Sequence, residues 1–241
     1  MRLRMLFIWE VLVSRISSYF SGVEKAIWLI STFLILSSYL IFDRSNHLTL
    51  IASMIGVTSI LLNAKGNPIG QFLMIIFSCI YGYISFMVAY YGEMATYLGM
   101  TMPMAVVALI AWLRHPYKGK RSEVAVNRLS IKEVLLIIPL SAIITTAFFF
   151  ILKYFNTANL IPITLSVTTS FWAVYLTFRR SPYFSLAYAL NDIVLIVLWT
   201  LASLDNIRYI SVLVCFTAFL INDIYAFISW KRMGKKQLAQ D

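Results

Sequence analysis

The sequence predicts an all-α polytopic membrane protein of eight transmembrane helices. Three observations carry this. The 241 residues are 61% hydrophobic and only 12% charged, a composition outside the range of soluble globular domains. The apolar residues gather into eight runs, most of them near the roughly 20 residues a helix needs to cross a bilayer. When the runs are threaded back and forth, seventeen of the 20 Lys and Arg residues fall on one side. Such a bias orients membrane proteins with the basic side inward, so both termini are expected in the cytoplasm.

The runs are 26–42, 47–62, 70–91, 96–112, 133–153, 161–178, 182–201 and 207–230. Residues 1–25 precede them as a cytoplasmic segment, in which 1–20 suit an interfacial amphipathic helix. Arg2 and Arg4 lead only a short apolar stretch broken by Glu10, without a small-residue cleavage site, so no signal peptide is expected. The first two runs are short for a hydrocarbon core about 30 Å thick. The third and seventh open on Pro68 and Pro182, each closing a basic turn (NAKGNPIGQ and TFRRSPYFS). Proline suits the first turn of a helix, where its missing N–H has no partner to lose. In the fourth run Pro103 is expected to kink the helix and offer a hinge. The fifth run holds Pro139 near its start, and the sixth opens at Pro162. The basic stretch 114–132 needs no nucleic acid: it fixes topology and meets anionic lipid. Residues 231–241 form a second cytoplasmic tail.

Residues 47–112 and 161–230 resemble each other weakly. Each has a basic turn ending in proline, a middle span, and a last span ending in tryptophan and arginine: Trp112 and Arg114, Trp230 and Arg232. They read as two three-helix units of like orientation joined by the span 133–153, with 26–42 as an extra helix. This 3+1+3 parallel repeat is like that of the SWEET sugar facilitators, in which substrate sits near the midplane between units.

Polar residues inside apolar runs are costly unless they face a protein interior or a wet cavity. Asn191-Asp192 and Asn222-Asp223 are such marks. At 100° per residue, Tyr188, Asp192 and Trp199 share one helical face with Asn191 beside it, and Asn222 shares a face with Tyr225. The expected substrate contacts are Gln71, Trp172, Tyr188, Asn191, Asp192, Trp199, Asn222 and Tyr225, with Asp223 structural. Asn63 and Lys65 read as turn residues. Ser78, Gly82 and Ser85 read as small residues that let helices pack closely in lipid.

No Lys or Arg lies deep in any run, which disfavours a phosphorylated substrate. There is no phosphate-binding loop of the ATPase type, no metal-ligand cluster and no intramembrane Ser/His pair, so neither an enzyme nor a cofactor is expected. Cys79 and Cys215 each sit in an apolar run and read as small buried residues.

The strings NPIGQFLMIIFSCIYGYISF, YYGEMATYLGMTMPMAVVALIAWLRHP, YALNDIVLIVLW and LINDIYAFISW resemble the PnuC family of bacterial nicotinamide riboside transporters, over roughly residues 45–232. The resemblance implies a SWEET-like fold in the inner membrane. It implies facilitated uptake of nicotinamide riboside, with trapping by a cytoplasmic riboside kinase. It places Asn191, Trp199, Asn222 and Tyr225 among the contacts. The family often carries a WxxW pair where this chain reads SPYFSLAYALND, with Ser185 and Tyr188 instead. Related carriers of thiamine or riboflavin share the fold. The other readings are a proton-coupled transporter using Asp192 or Asp223, and a membrane sensor or scaffold without flux. Whether the chain forms a homo-oligomer is left open.

Overall fold

The computed structural model describes residues 18–157 and 159–240. The interfacial helix expected over 1–20 lies almost wholly outside them. Among the described residues eight helices are long and apolar enough to cross a membrane. They are α1 Gly22–Phe42, α2 His47–Ala64, α3 Pro68–Met87, α4 Tyr91–Arg114, α5 Ile131–Tyr154, α6 Leu160–Phe178, α7 Phe184–Asp205 and α8 Ile210–Leu238. A one-turn 3₁₀ segment, Ile207–Tyr209, leads into α8. Within the basic stretch 114–132, Pro116–Tyr117 (β1) and Lys120–Val124 (β2) form an antiparallel hairpin.

The helix ends follow local chemistry. Ser21 caps α1 and Ser130 caps α5 through reciprocal bonds with Glu24 and Glu133, each satisfying two otherwise unpaired backbone donors. Asn67 caps α3, with Pro68 as the first helical residue.

Two features of α4 depart from the sequence reading for physical reasons. α4 starts at Tyr91 rather than 96, because a 96–112 helix at 1.5 Å per residue falls short of the bilayer core. The extension draws Glu93 from an expected loop into the protein interior, where it is 0% exposed. The irregularity expected at Pro103 takes the form of a π turn over Tyr97–Thr101. That wider turn falls just where proline's missing N–H would break the α pattern.

Six helices close a ring. α2 packs on α3 and α3 on α4; α6 packs on α7 and α7 on α8. The circuit closes through α2 against α8 and α4 against α6. Close approach at the α2–α8 crossing relies on Gly56, since a Cβ there would run into the Phe219 ring. α1 lies outside the ring against α8 and α2, and α5 packs on α6. The outer face of α5 is strongly apolar and open: Leu135 is 63% and Ile143 66% exposed, as expected where a helix meets acyl chains.

The turns after α2 and α6 are built alike. In the first, Gly66 N–H donates to Asn63 O at 2.9 Å and Asn67 N–H to Leu62 O at 3.0 Å. In the second, Arg180 N–H donates to Thr177 O and Ser181 N–H to Leu176 O, both at 3.0 Å. These are paired Schellman ends, with Gly66 at φ +65° and Arg180 at φ +56° in the left-handed position. The hairpin segment seals both, through Val124 N–H to Gly66 O and Asn127 N–H to Arg180 O, each 3.0 Å.

Candidate functional site

The axis of the ring holds a small cavity of about 20 Å³, room for a water, so a metabolite fits there only when the helices part. Its polar walls come from α7 and α8, which carry Asn191, Asp192 and Asp223, and from Asn63, Thr101 and Ser170. Its apolar walls include Phe77, Tyr97, Phe184, Tyr188 and Phe219. No Lys or Arg lines it.

Asn191 is 2% exposed. Its Oδ1 accepts hydrogen bonds from Thr169 Oγ1 at 2.8 Å and Ser170 Oγ at 3.0 Å, which fixes the amide by its oxygen and leaves its NH₂ as the end to engage an acceptor. Asp192 and Asp223 both line the cavity, and Asp192 Oδ2 has no hydrogen-bond partner among the described residues. Tyr188 lines the cavity and its hydroxyl bonds to Thr177.

Aromatic layers close the cavity above and below. On one side Phe77 stacks on Tyr81 at 5.6 Å and meets Phe219 at 5.5 Å. Trp199, fully buried, donates Nε1–H to Tyr81 Oη at 2.8 Å. On the other side Trp112 and Trp230 lie 5.3 Å apart, with Phe184 4.9 Å from Trp230.

Of the eight expected contacts, the structure brings Tyr188, Asn191 and Asp192 to the cavity. Trp199 stands behind Tyr81 in the closing layer. Asn222 faces the outer helix α1: its Nδ2 donates to Ser31 Oγ at 2.8 Å and to Ala218 O at 2.7 Å. Tyr225 likewise donates to Glu24 Oε1 at 3.1 Å. Gln71 donates to Asn63 Oδ1 at 2.9 Å and so orients a cavity residue without lining the cavity itself. Trp172 lines a separate groove at the end of the bundle that carries the hairpin.

The sequence reading also missed cavity residues. Asp223, expected to be structural, reaches the cavity that its neighbour Asn222 does not, because adjacent residues point about 100° apart on a helix. Asn63, expected as a turn residue, is 3% exposed and lines the same cavity. Lys65 forms an ion pair with Glu24 at 3.1 Å, which ties the α2–α3 turn to the start of α1. Glu93 accepts from Ser166 Oγ at 2.7 Å and keeps Oε2 unpartnered, one turn before the cavity residue Tyr97. Extending the short fourth span would have found it.

A family profile described as nicotinamide mononucleotide transporter matches residues 46–232. The chain is 24% identical over 220 residues to the nicotinamide riboside transporter PnuC of Neisseria mucosa, covering 90% of this chain and 84% of that protein. The crystal structure of the vitamin B3 transporter PnuC superposes with a TM-score of 0.79 at 21% identity, over 90% of this chain and 94% of that one.

Proposed function

The chain belongs to the nicotinamide mononucleotide transporter family, and we propose that it carries nicotinamide riboside across the bacterial inner membrane by facilitated diffusion. The observation that carries the choice of substrate is the central cavity: amide, hydroxyl and carboxyl groups among aromatic rings, with no cation in its walls. A pyridinium ring is a flat cation that suits aromatic faces and a carboxyl pair. A carboxamide and ribose hydroxyls suit Asn191, Ser170 and Asn63. A 5′-phosphate would meet Asp192 and Asp223 with no compensating cation. The relative's name, the riboside, therefore fits this site better than the family's description, the mononucleotide.

The proposed contacts are Tyr188, Asn191 and Asp192, joined by Asp223 and Asn63. Trp199, Asn222, Tyr225 and Gln71 act on the site by packing and orientation, and Trp172 stands outside it. Transport proceeds by rocking of two three-helix units, α2–α4 and α6–α8, about the cavity, with α5 as the linker and α1 as the extra helix of a SWEET-like 3+1+3 plan. The twin turns after α2 and α6 support this division, and the π turn of α4 is the place for a hinge. Both turns, the hairpin and the end of α8 share the cation-rich end of the bundle, which supports placing that end and both termini in the cytoplasm. A cytoplasmic riboside kinase would then trap the imported substrate.

Two carboxyl groups in one cavity, Asp192 and Asp223, favour one second reading, coupling of transport to a proton taken up by one of them. Binding and flux separate the alternatives. Equilibrium binding to purified protein should detect nicotinamide riboside and show no competition by thiamine or riboflavin. Displacement by either vitamin would move the assignment within the transporter class. Accumulation against a gradient when the lumen is made alkaline would establish the coupled mechanism.

A further inference from the structure

Beside the end of the bundle that holds the twin turns lies a groove of about 1050 Å³, unrelated to the central cavity. One wall is apolar and belongs to the membrane-facing helices: Ile137 and Ile138 of α5, Trp172 and Leu176 of α6. The other edge carries three cations, Arg128 of the linker after the hairpin and Lys231 and Lys235 of α8. All three are exposed. No Asp or Glu is among the lining residues. Lys231 donates to the Tyr183 hydroxyl at 3.0 Å, with its ammonium 4.4 Å from that ring, so it is held in place without being neutralised.

Two groove residues also carry N–H donors with no acceptor among the described residues, Trp172 Nε1 and Asn127 Nδ2. Buried donors are nearly always paired. The groove opens sideways along α5, where Ile138 is 56% and Val134 44% exposed. In a membrane-spanning chain that opening faces acyl chains.

We propose that this groove is a binding site for an anionic phospholipid. The head-group phosphate sits among Arg128, Lys231 and Lys235, and an acyl chain runs along Ile137, Ile138 and Trp172. Basic recesses between helices at the inner membrane face are suited to such head groups. Three cations with no acidic partner among the described residues select for negative charge, and the apolar wall with its lateral opening selects a lipid over a soluble phosphate. The occupied groove would brace α8 and α6 against α5.

The test is native mass spectrometry of the full chain, released from detergent after exposure to phosphatidylglycerol or phosphatidylcholine. A phosphatidylglycerol adduct should persist at collision energies that strip phosphatidylcholine. The R128Q/K231Q/K235Q variant should bind phosphatidylglycerol at least tenfold more weakly. K118Q/K120Q/R121Q removes the same charge at the hairpin, outside the groove, and should keep the adduct. If the first variant fails to fold by circular dichroism, R128Q alone, at an exposed position, should still weaken binding about threefold. Equal retention of both lipids would overturn the proposal, as would an adduct indifferent to R128Q, or equal loss in the hairpin variant. Competition by glycerol 3-phosphate as strong as by the lipid would make the site one for soluble phosphate. A dimer mass without lipid would make the groove a contact between copies.

Discussion

Trp230 donates its indole N–H to the backbone carbonyl of Asn63 at 2.7 Å. Trp112 does the same to Thr177 at 2.9 Å. Asn63 stands five residues before Pro68, and Thr177 five before Pro182. Trp112, near the end of α4, reaches the end of α6, and Trp230, about two turns before the end of α8, reaches the end of α2. The two bonds thus tie α4 to α6 and α8 to α2 on the cation-rich side.

Replacing either tryptophan by phenylalanine keeps most of the ring and removes the donor. Trp112→Phe and Trp230→Phe should each cost roughly 1 kcal/mol of stability, the usual net worth of one hydrogen bond. On the proposed rocking mechanism these bonds latch one side, so both variants should also change transport rate more than equilibrium affinity. Thermal unfolding and paired flux and binding measurements check this. Unchanged flux in both variants would remove the latch from the mechanism.

Asn191→Ala should weaken substrate binding by roughly 1–3 kcal/mol, the cost of leaving a buried polar partner unpaired. Asn222→Ala should instead lower thermal stability with affinity kept, because its amide joins α8 to Ser31 of α1. Isothermal titration on folded protein distinguishes them. The reverse pattern would mean that the cavity described here is not the binding site.

The 5′-phosphate of nicotinamide riboside should bind at least about tenfold more weakly than the riboside, a difference of about 1.4 kcal/mol. The cause is the cavity wall, which sets Asp192 and Asp223 against the phosphate and supplies no cation. Titration with both ligands decides it. Equal affinity would require a phosphate site elsewhere in the ring.

A cysteine placed at Lys120 in the hairpin should react with a membrane-impermeant thiol reagent only from the inside of the cell. Reaction in intact cells would reverse the orientation argued from the placement of Lys and Arg.

The spans were legible because the bilayer imposes a length and an apolar composition on every crossing helix. Asn191, Asp192 and Asp223 stood out for the same reason: a polar group in an apolar run must be accounted for. What the run cannot show is which interior it faces. Asn222 and Asp223 are adjacent, yet one faces α1 and the other the cavity, and that depends on where α1 docks. Asn63 was hidden by its position at a helix end, where a turn role is the simpler reading. Glu93 was hidden by an underestimated helix length. Trp199 shares a helical face with Asp192, but two turns higher it meets Tyr81 rather than the cavity.

The central claim is that this chain alone moves nicotinamide riboside down its gradient through the Asn191–Asp192–Asp223 cavity. The most direct measurement is uptake of labelled nicotinamide riboside into liposomes containing only this protein, with and without an imposed pH gradient. The account predicts saturable entry that stops at equal concentrations inside and out, is unaffected by the pH gradient, and is strongly reduced in Asn191→Ala. Uptake no faster than into protein-free liposomes would contradict it, as would concentration of the label beyond equilibrium.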